Sequence, residues 1–393
     1  MIFAGPCKEK CDELPRGFCR AAYVHVPFCA RKCPYCDFYS VPFGPDAAGA
    51  YVRAAPAELA VHRHELAAPL ASVFLGGGTP TVLGPELLAE LLGHLRPWIG
   101  PHTEVTIEAN PGTVDAATAD ALVGGGVNRV SLGVQSFQDE DLCRLGRIHT
   151  AAEAREAVSL LRRAGIGNLG LDLMYGVPGQ TTASWGASLA EALGLRPEHL
   201  SCYALSFEPG TRLAADLRAG RVEEMDAAVQ EACYRQAIDA CREAGMEHYE
   251  ISNFAAAGRR CRHNLTYWRN EPYLGIGPAA ASYLGGVRRM NLPDLGAYLV
   301  AVSGGHRPPA TREKLTGRSA MAETVMLALR LREGLCRADF RQRYGRDVGE
   351  VFPRSILRHK ELGTLEATAG HLRIAEEALF VSDTILADIL AEA

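Results

Sequence analysis

The sequence predicts an α/β protein: a partial (β/α)6 barrel of TIM-like form, additional loops after it, and a small, mainly helical C-terminal domain. Three observations carry that reading. Six short β-compatible runs alternate with helical runs over residues 21-245. Glycine-rich and polar text recurs just after the strands, at the edge where a barrel keeps its active site. Beyond residue 245 the rhythm breaks into loops rich in Gly, Asn and aromatic residues. Parallel pairing with right-handed crossovers is the economical arrangement for such an alternation, and 393 residues suffice to build it.

Ala22 to Val26 reads as the first strand, stopped by Pro27. A helix rich in alanine and glutamate follows over Ala47 to Leu66, with Pro56 expected to bend or break it. Ser72 to Leu75 is the second strand and runs directly into Gly76-Gly77-Gly78. Glu86 to Leu95 has helical periodicity, and Glu104 to Glu108 alternates as the third strand. Asp115 can cap the next helix, which stops at the glycine run Gly124 to Gly126. Arg129 to Leu132 is the fourth strand, and a helix over Ala151 to Ala164 ends at Gly165. Asn168 to Met174 and His199 to Tyr203 complete the six strands, and a helix over Glu223 to Ala244 closes the series. The expected divisions are an N-terminal extension (1-20), the barrel (21-245), a loop and connector region (246-305) and a small C-terminal domain (306-393). That last domain returns to short leucine-spaced helices and is expected to carry a two-stranded wing.

Hydrophobic residues make 48% of the chain and charged residues 22%, which excludes a disordered, collagen-like or coiled-coil protein. A formal charge of -5 with no basic stripe argues against a general nucleic-acid surface. The basic runs Arg259-Arg260, Arg288-Arg289 and Arg312 to Lys314 read as solvated loop faces. No apolar run is long enough to span a bilayer, and Met1 to Arg20 lacks the apolar core of a signal peptide. The expected location is the cytoplasm. Six of the twelve cysteines, Cys7, Cys11, Cys19, Cys29, Cys33 and Cys36, fall at the start of the chain. In a reducing compartment such crowding points to metal or redox chemistry in place of disulfides.

The most informative segment is Cys29-Ala-Arg-Lys-Cys33-Pro-Tyr-Cys36, a C-x3-C-x2-C loop directly after the first strand. Three thiolates on one short loop suit a soft metal centre. A structural zinc ion usually takes four protein ligands, and no fourth follows at finger spacing. A [4Fe-4S] cube held by three cysteines keeps one iron open for a small molecule. Incidental buried cysteines and a zinc site are the competing readings.

Here the sequence resembles the radical S-adenosylmethionine superfamily. The resemblance implies that the amino and carboxylate groups of S-adenosylmethionine chelate the open iron. It further implies that electron transfer cleaves a carbon–sulfur bond to give a 5'-deoxyadenosyl radical. Leu75-Gly-Gly-Gly-Thr-Pro-Thr81 resembles the glycine-rich second-strand motif that contacts the methionine amino group. Gly77 and Gly78 would let the backbone approach a ligand, and Thr79 would add a hydroxyl.

A closer resemblance, to the HemW-like heme chaperones related to oxygen-independent coproporphyrinogen III oxidase, covers nearly the whole chain. It rests on Tyr23-Val-His-Val-Pro-Phe-Cys29, Val105-Thr-Ile-Glu-Ala-Asn-Pro-Gly112, Arg129-Val-Ser-Leu-Gly-Val-Gln-Ser-Phe137, Leu145-Gly-Arg-Ile-His149 and Leu171-Asp-Leu-Met-Tyr-Gly-Val-Pro-Gly-Gln180. On the family's pattern Tyr23 lies beside the cluster and S-adenosylmethionine, and Tyr35 flanks the ligand. Glu108, Gln135, Arg147 and Asp172 match polar pocket positions, and Ala204 and Ala281 match adenosyl-side contacts. The residue types are apt: carboxylates bind ribose hydroxyls or an ammonium, glutamine donates and accepts, and arginine engages a carboxylate.

Two passages bring the chain nearer the chaperones than the decarboxylating oxidases. Those oxidases extend the cysteine motif to C-x3-C-x2-C-x-C, and Phe38 stands at the added position here. Tyr249-Glu-Ile-Ser-Asn-Phe254 and Cys261-Arg-His-Asn-Leu-Thr-Tyr-Trp268 resemble the chaperones' EISNF and HNxxYW text. The resemblance implies His263 as an axial ligand of heme iron, with Tyr267 and Trp268 against the porphyrin and Cys261 as a further heme-associated residue. Leu274 to Tyr283 departs from the family's usual GxGPGAHSY, because the run Ala279-Ala280-Ala281 lacks its glycine and its histidine. Cys7, Cys11 and Cys19 lie outside the shared text and read as loop cysteines, a second metal centre being the other reading.

The function implied is a chaperone that binds heme and transfers it to an acceptor protein, using a [4Fe-4S] cluster and S-adenosylmethionine. A membrane respiratory protein is the implied class of acceptor, reached by transient membrane contact. The enzymatic alternative is oxidative decarboxylation of coproporphyrinogen III, and a third reading is a purely structural cluster protein.

Overall fold

The computed structural model describes residues 18–393, so Cys7 and Cys11 and most of the N-terminal extension lie outside the described residues. Six strands stand side by side in chain order, all parallel: β1 (Ala21–Val26), β2 (Ser72–Gly77), β3 (Glu104–Ala109), β4 (Arg129–Gln135), β5 (Leu169–Tyr175) and β6 (His199–Ala204). These are the six strands expected from sequence. Beyond β6 the sheet continues antiparallel through β7 (Glu247–Glu250) and β8 (Asn253–Ala255), with β8 against β6. On the other margin β9 (Leu274–Ile276) pairs parallel with β1. The two margins do not pair among the described residues, so the nine-stranded sheet is an open barrel.

Period-two alternation explains the sheet's two faces. Along β3 and β4 the residues Val105, Ile107, Val130, Leu132 and Val134 belong to the apolar core, whereas Glu108, Arg129, Ser131, Gly133 and Gln135 line the interior cavity. Helices cover the outer face: α1 (Pro45–Val61), α2 (Gly84–Leu95), α3 (Ala116–Gly124), α4 (Asp139–Arg144), α5 (Ala151–Arg163) and α6 (Thr182–Gly194), then α7 (Arg212–Arg218) and α8 (Ala227–Glu243). Pro56 sits inside α1 without ending it; the helix stops at His62, short of Leu66. Asp115 caps α3, accepting from the Thr118 amide at 2.7 Å. Asp226 caps α8 through the amides of Ala228 and Val229, which is why that helix starts later than Glu223. The sequence reading did not include α4, α6 and α7, although Thr181 and Ser184 form a capping box at α6.

The stretch expected as loops holds short elements. Besides β7, β8 and β9 it contains α9 (Arg262–Trp268), β10 (Ala281–Leu284), β11 (Val287–Asn291) and α10 (Leu295–Ser303). With β12 (Ala310–Lys314), β10 and β11 form a small antiparallel sheet. The chain then enters α11 (Gly317–Ala328) and a helical region with a wing of three strands, not two: β13 (Leu335–Cys336), β14 (Leu365–Ala367) and β15 (His371–Ile374). This last part reaches both margins of the open sheet. Arg332 and Ile251 exchange backbone bonds with Tyr249 and Arg330 beside β7, at 3.0 and 3.1 Å. Near β9, Asn270 donates to Thr324 Oγ1 at 2.9 Å, Arg288 pairs with Glu323 at 2.5 Å, and Arg343 donates to the Tyr283 hydroxyl at 2.9 Å. Among the described residues no helix is long and apolar enough to cross a membrane.

Candidate functional site

The cysteine loop leaves the C-terminal end of β1 and is pinned at its start, where Phe28 and Cys29 pair with Val41 and Pro42. Cys29, Cys33 and Cys36 are half-buried free thiols. They share one cavity of about 470 Å³ with the ends of the parallel strands. The expected residues Tyr35, Gly77, Gly78, Thr79, Glu108, Gln135, Arg147, Asp172 and Ala204 line that same cavity.

A chain of polar contacts fastens the loop to the strands. Thr79 Oγ1 lies 3.7 Å from the Cys29 sulfur and accepts from Asn110 Nδ2 at 2.7 Å. Arg147 donates to Asn110 Oδ1 at 2.5 Å, to the Gly133 carbonyl at 2.8 Å, and to the Cys33 sulfur at 3.5 Å. The guanidinium thus sets a positive charge beside one thiol while holding β3 and β4 in register. The glycine run has a steric cause in the fold itself. A side-chain carbon on Gly78 would lie 2.4 Å from the Phe28 carbonyl oxygen. One on Gly77, at φ +110°, would lie 2.7 Å from the His25 ring. Only glycine lets β2 end this close to the cysteine loop.

Two buried carboxyls sit deeper. Glu108 accepts from the Gly77 amide at 3.1 Å, and burial, with Asp172 nearby, pushes its pKa up to about 7. Asp172 accepts from the Ser131 hydroxyl at 3.0 and 3.1 Å, and burial raises its pKa as well. Gln135 closes β4 at φ +67°, beside an irregularity in the β4–β5 register. Such a backbone angle is uncommon for a non-glycine residue and here turns the chain over the cavity. At the mouth Phe38 is 63% exposed and Tyr203 37% exposed.

Three expected residues lie off the lining. Tyr23 is on β1 behind Phe74, with its hydroxyl 3.1 Å from His25 Nδ1. Ala281 opens β10 and packs beside Ala21, Tyr273 and Tyr283. His263 needs the larger correction. It belongs to helix α9, not to an open loop, and is 0% exposed. Its Nδ1 lies 2.9 Å from Ser72 Oγ and its Nε2 2.8 Å from the Tyr267 hydroxyl, while Phe74 stacks on the ring. In this arrangement neither ring nitrogen is open to an iron. The cause is Glu104, whose carboxylate accepts from the amides of Arg262 and His263 at 3.1 and 3.2 Å and draws α9 against the N-terminal end of the sheet. Cys261 is buried beside the same carboxylate, and burial pushes its thiol up to about 12. Cys19 is buried and bridges to Leu66. Ala279, where the family text has glycine, takes φ +61°.

The sequence reading singled out neither Asn110 nor the deeper residues Arg129, His199 and Ser201 of the lining. A signal was present for one of them: Arg129 shares the inward parity of Ser131, Gly133 and Gln135. The donor set suits an iron–sulfur cluster, with three soft thiols on one loop, a cation at one sulfur, and a polar cavity beside them for a small molecule. Among the described residues no three His, Cys, Asp or Glu side chains form a ready-made site for a single metal ion.

The open parallel sheet and its cysteine loop define a radical S-adenosylmethionine fold. The model of the radical SAM superfamily matches residues 23–192, and that of the HemN C-terminal domain matches residues 315–381. The chain belongs to the HemW heme chaperone family. It is 32% identical to the heme chaperone HemW of Bacillus subtilis over 95% of this chain and 100% of that one. It is 38% identical to that of Synechocystis over 80% and 79% of the two chains. Among solved structures, the coproporphyrinogen III oxidase HemN of Escherichia coli superposes with a TM-score of 0.81 at 22% identity, over 97% of this chain and 92% of that one. At that identity the likeness speaks for the fold.

Proposed function

We propose that this chain binds heme and passes it to an acceptor protein, supported by a [4Fe-4S] cluster on Cys29, Cys33 and Cys36 and by S-adenosylmethionine in the adjoining cavity. The observation that carries the reading is the convergence of three free thiols and the ends of five parallel strands on one cavity. When bound, cluster and S-adenosylmethionine supply one-electron chemistry. The chain's own residues do the rest. Gly77 and Gly78 bring backbone groups to the ligand, and Arg147 holds the loop and neutralises charge at Cys33. Glu108 keeps a proton near neutral pH, and Asp172, oriented by Ser131, accepts hydroxyl groups. Phe38 and Tyr203 offer apolar surface at the mouth, where a porphyrin face could pack. A membrane respiratory protein is the acceptor class this reading favours, met by transient contact from the cytoplasm.

Anaerobic reconstitution should give about four irons and four sulfides per chain, with one iron perturbed by S-adenosylmethionine. Replacing any one of the three cysteines by alanine should abolish that incorporation; full clusters in all three variants would refute the assignment. The function is tested by presenting reconstituted protein with heme and an apo-acceptor, and separately with coproporphyrinogen III, reductant and electron acceptor. Heme transfer without protoporphyrinogen IX supports the reading. Efficient protoporphyrinogen IX production overturns it in favour of the oxidase.

A further inference from the structure

The cavity has a second polar end. Arg129 and His199 open strands β4 and β6, so they lie at the opposite end of the sheet from the cysteine loop, yet both line the cavity. By strand rise alone, roughly 20 Å of β4 separates Arg129 from Gln135. Arg129 is 2% exposed, and its guanidinium makes no hydrogen bond or ion pair among the described residues; its Nε is buried without a partner. A buried arginine is ordinarily paired. The nearby carboxylates have other partners, Glu104 the backbone of α9, Glu108 the Gly77 amide and Asp172 the Ser131 hydroxyl. His199 repeats the pattern. Its Nε2 lies 2.9 Å from the Tyr249 hydroxyl, while its Nδ1 is buried without a partner. The two groups face one another across Gly170, because a methyl there would lie 3.5 Å from Arg129 Nη2 and 3.5 Å from His199 Nδ1.

We infer that Arg129 and His199 form an anion subsite on the cavity floor that takes the carboxylate of a small-molecule guest. Guanidinium is the side chain best shaped to receive a carboxylate, with two parallel donors. When Tyr249 donates to Nε2, the neutral imidazole turns its Nδ1–H toward the same guest. The subsite stands on geometry independent of heme and of the cysteine loop, so its failure would leave the chaperone reading untouched.

The test uses the reconstituted full chain titrated with 13C-carboxylate propionate at constant ionic strength, followed by NMR, with propionamide as the neutral control. Saturable propionate binding with none for propionamide is expected. Arg129→Gln should weaken it at least tenfold, Arg129→Lys, which keeps the charge but loses the paired donors, should weaken it less, and His199→Asn should weaken it several-fold. Should Arg129→Gln fail to fold, the lysine and asparagine variants still decide. Absence of saturable binding in the native chain, or equal binding in Arg129→Gln and His199→Asn, overturns the subsite. Repeating the titration with S-adenosylhomocysteine present identifies the source of the carboxylate. Independent binding assigns it to a second guest on the floor, whereas competition would place the propionate at the nucleoside's own site beside the cysteine loop and overturn the floor subsite.

Discussion

Glu108 carries a pH dependence whose sign follows from its surroundings. Its pKa is raised from 4.5 to about 7, so the folded chain keeps a proton that the unfolded chain has already released. Stability from this group is complete below about pH 4.5 and is lost as pH rises toward 7. At 1.36 kcal/mol per pKa unit the loss is roughly 3 kcal/mol. Glu108→Gln removes the ionisation, so its denaturant midpoint should fall less between pH 5 and pH 8 than that of the native chain. A parallel fall in both proteins would show that Glu108 does not titrate in that window. His263 poses the opposite case, a residue with two filled hydrogen bonds and no free position. His263→Ala should cost about 2 kcal/mol through the lost contacts and the cavity left behind. Iron and sulfide content should stay native. A heme absorption spectrum that also stays native would identify the ring as the pin of α9 instead of an iron ligand.

At the scale of elements, legibility followed length and periodicity. Each of the six parallel strands is six or seven residues long with an alternating or continuous apolar pattern, and each was readable. The later strands were not: β8 and β9 have three residues apiece and persist because they pair with β6 and β1. Nothing local in LGI distinguishes a strand from a loop. The site divided in the same way. Cys29 to Cys36 and the glycine run announced themselves by spacing, and Glu108, Gln135, Arg147 and Asp172 through family text. The burial of His263 depends on Glu104, a residue distant in sequence that carried no sign of the role. Ala279 stands where the family text has glycine, and its backbone is left-handed. At φ +61° alanine is strained relative to glycine. Ala279→Gly should therefore raise stability by roughly 0.5–1 kcal/mol, after allowing for the greater freedom of the unfolded glycine. Denaturant unfolding would check it, and a loss of stability would mean that the turn is held by side-chain packing.

Over the whole molecule, an open sheet has two margins that ordinarily fray, because their outer backbone groups lack strand partners. Here the region from α11 onward is bonded at both margins, to Tyr249 and Ile251 beside β7 and to Asn270, Tyr283 and Arg288 near β9. Separating that region from the sheet would therefore release both edges in one event. In the currency of hydrogen exchange, peptides from β7, β9 and α11 should share a single protection factor and lose it together as denaturant is added. Independent exchange of β9 ahead of α11 would show that the margins open separately. Joint exchange has a kinetic corollary for a cavity that lies between those margins. Its width would then be gated by the slow opening of the C-terminal region, and fast breathing of edge strands would contribute little to the traffic of guests.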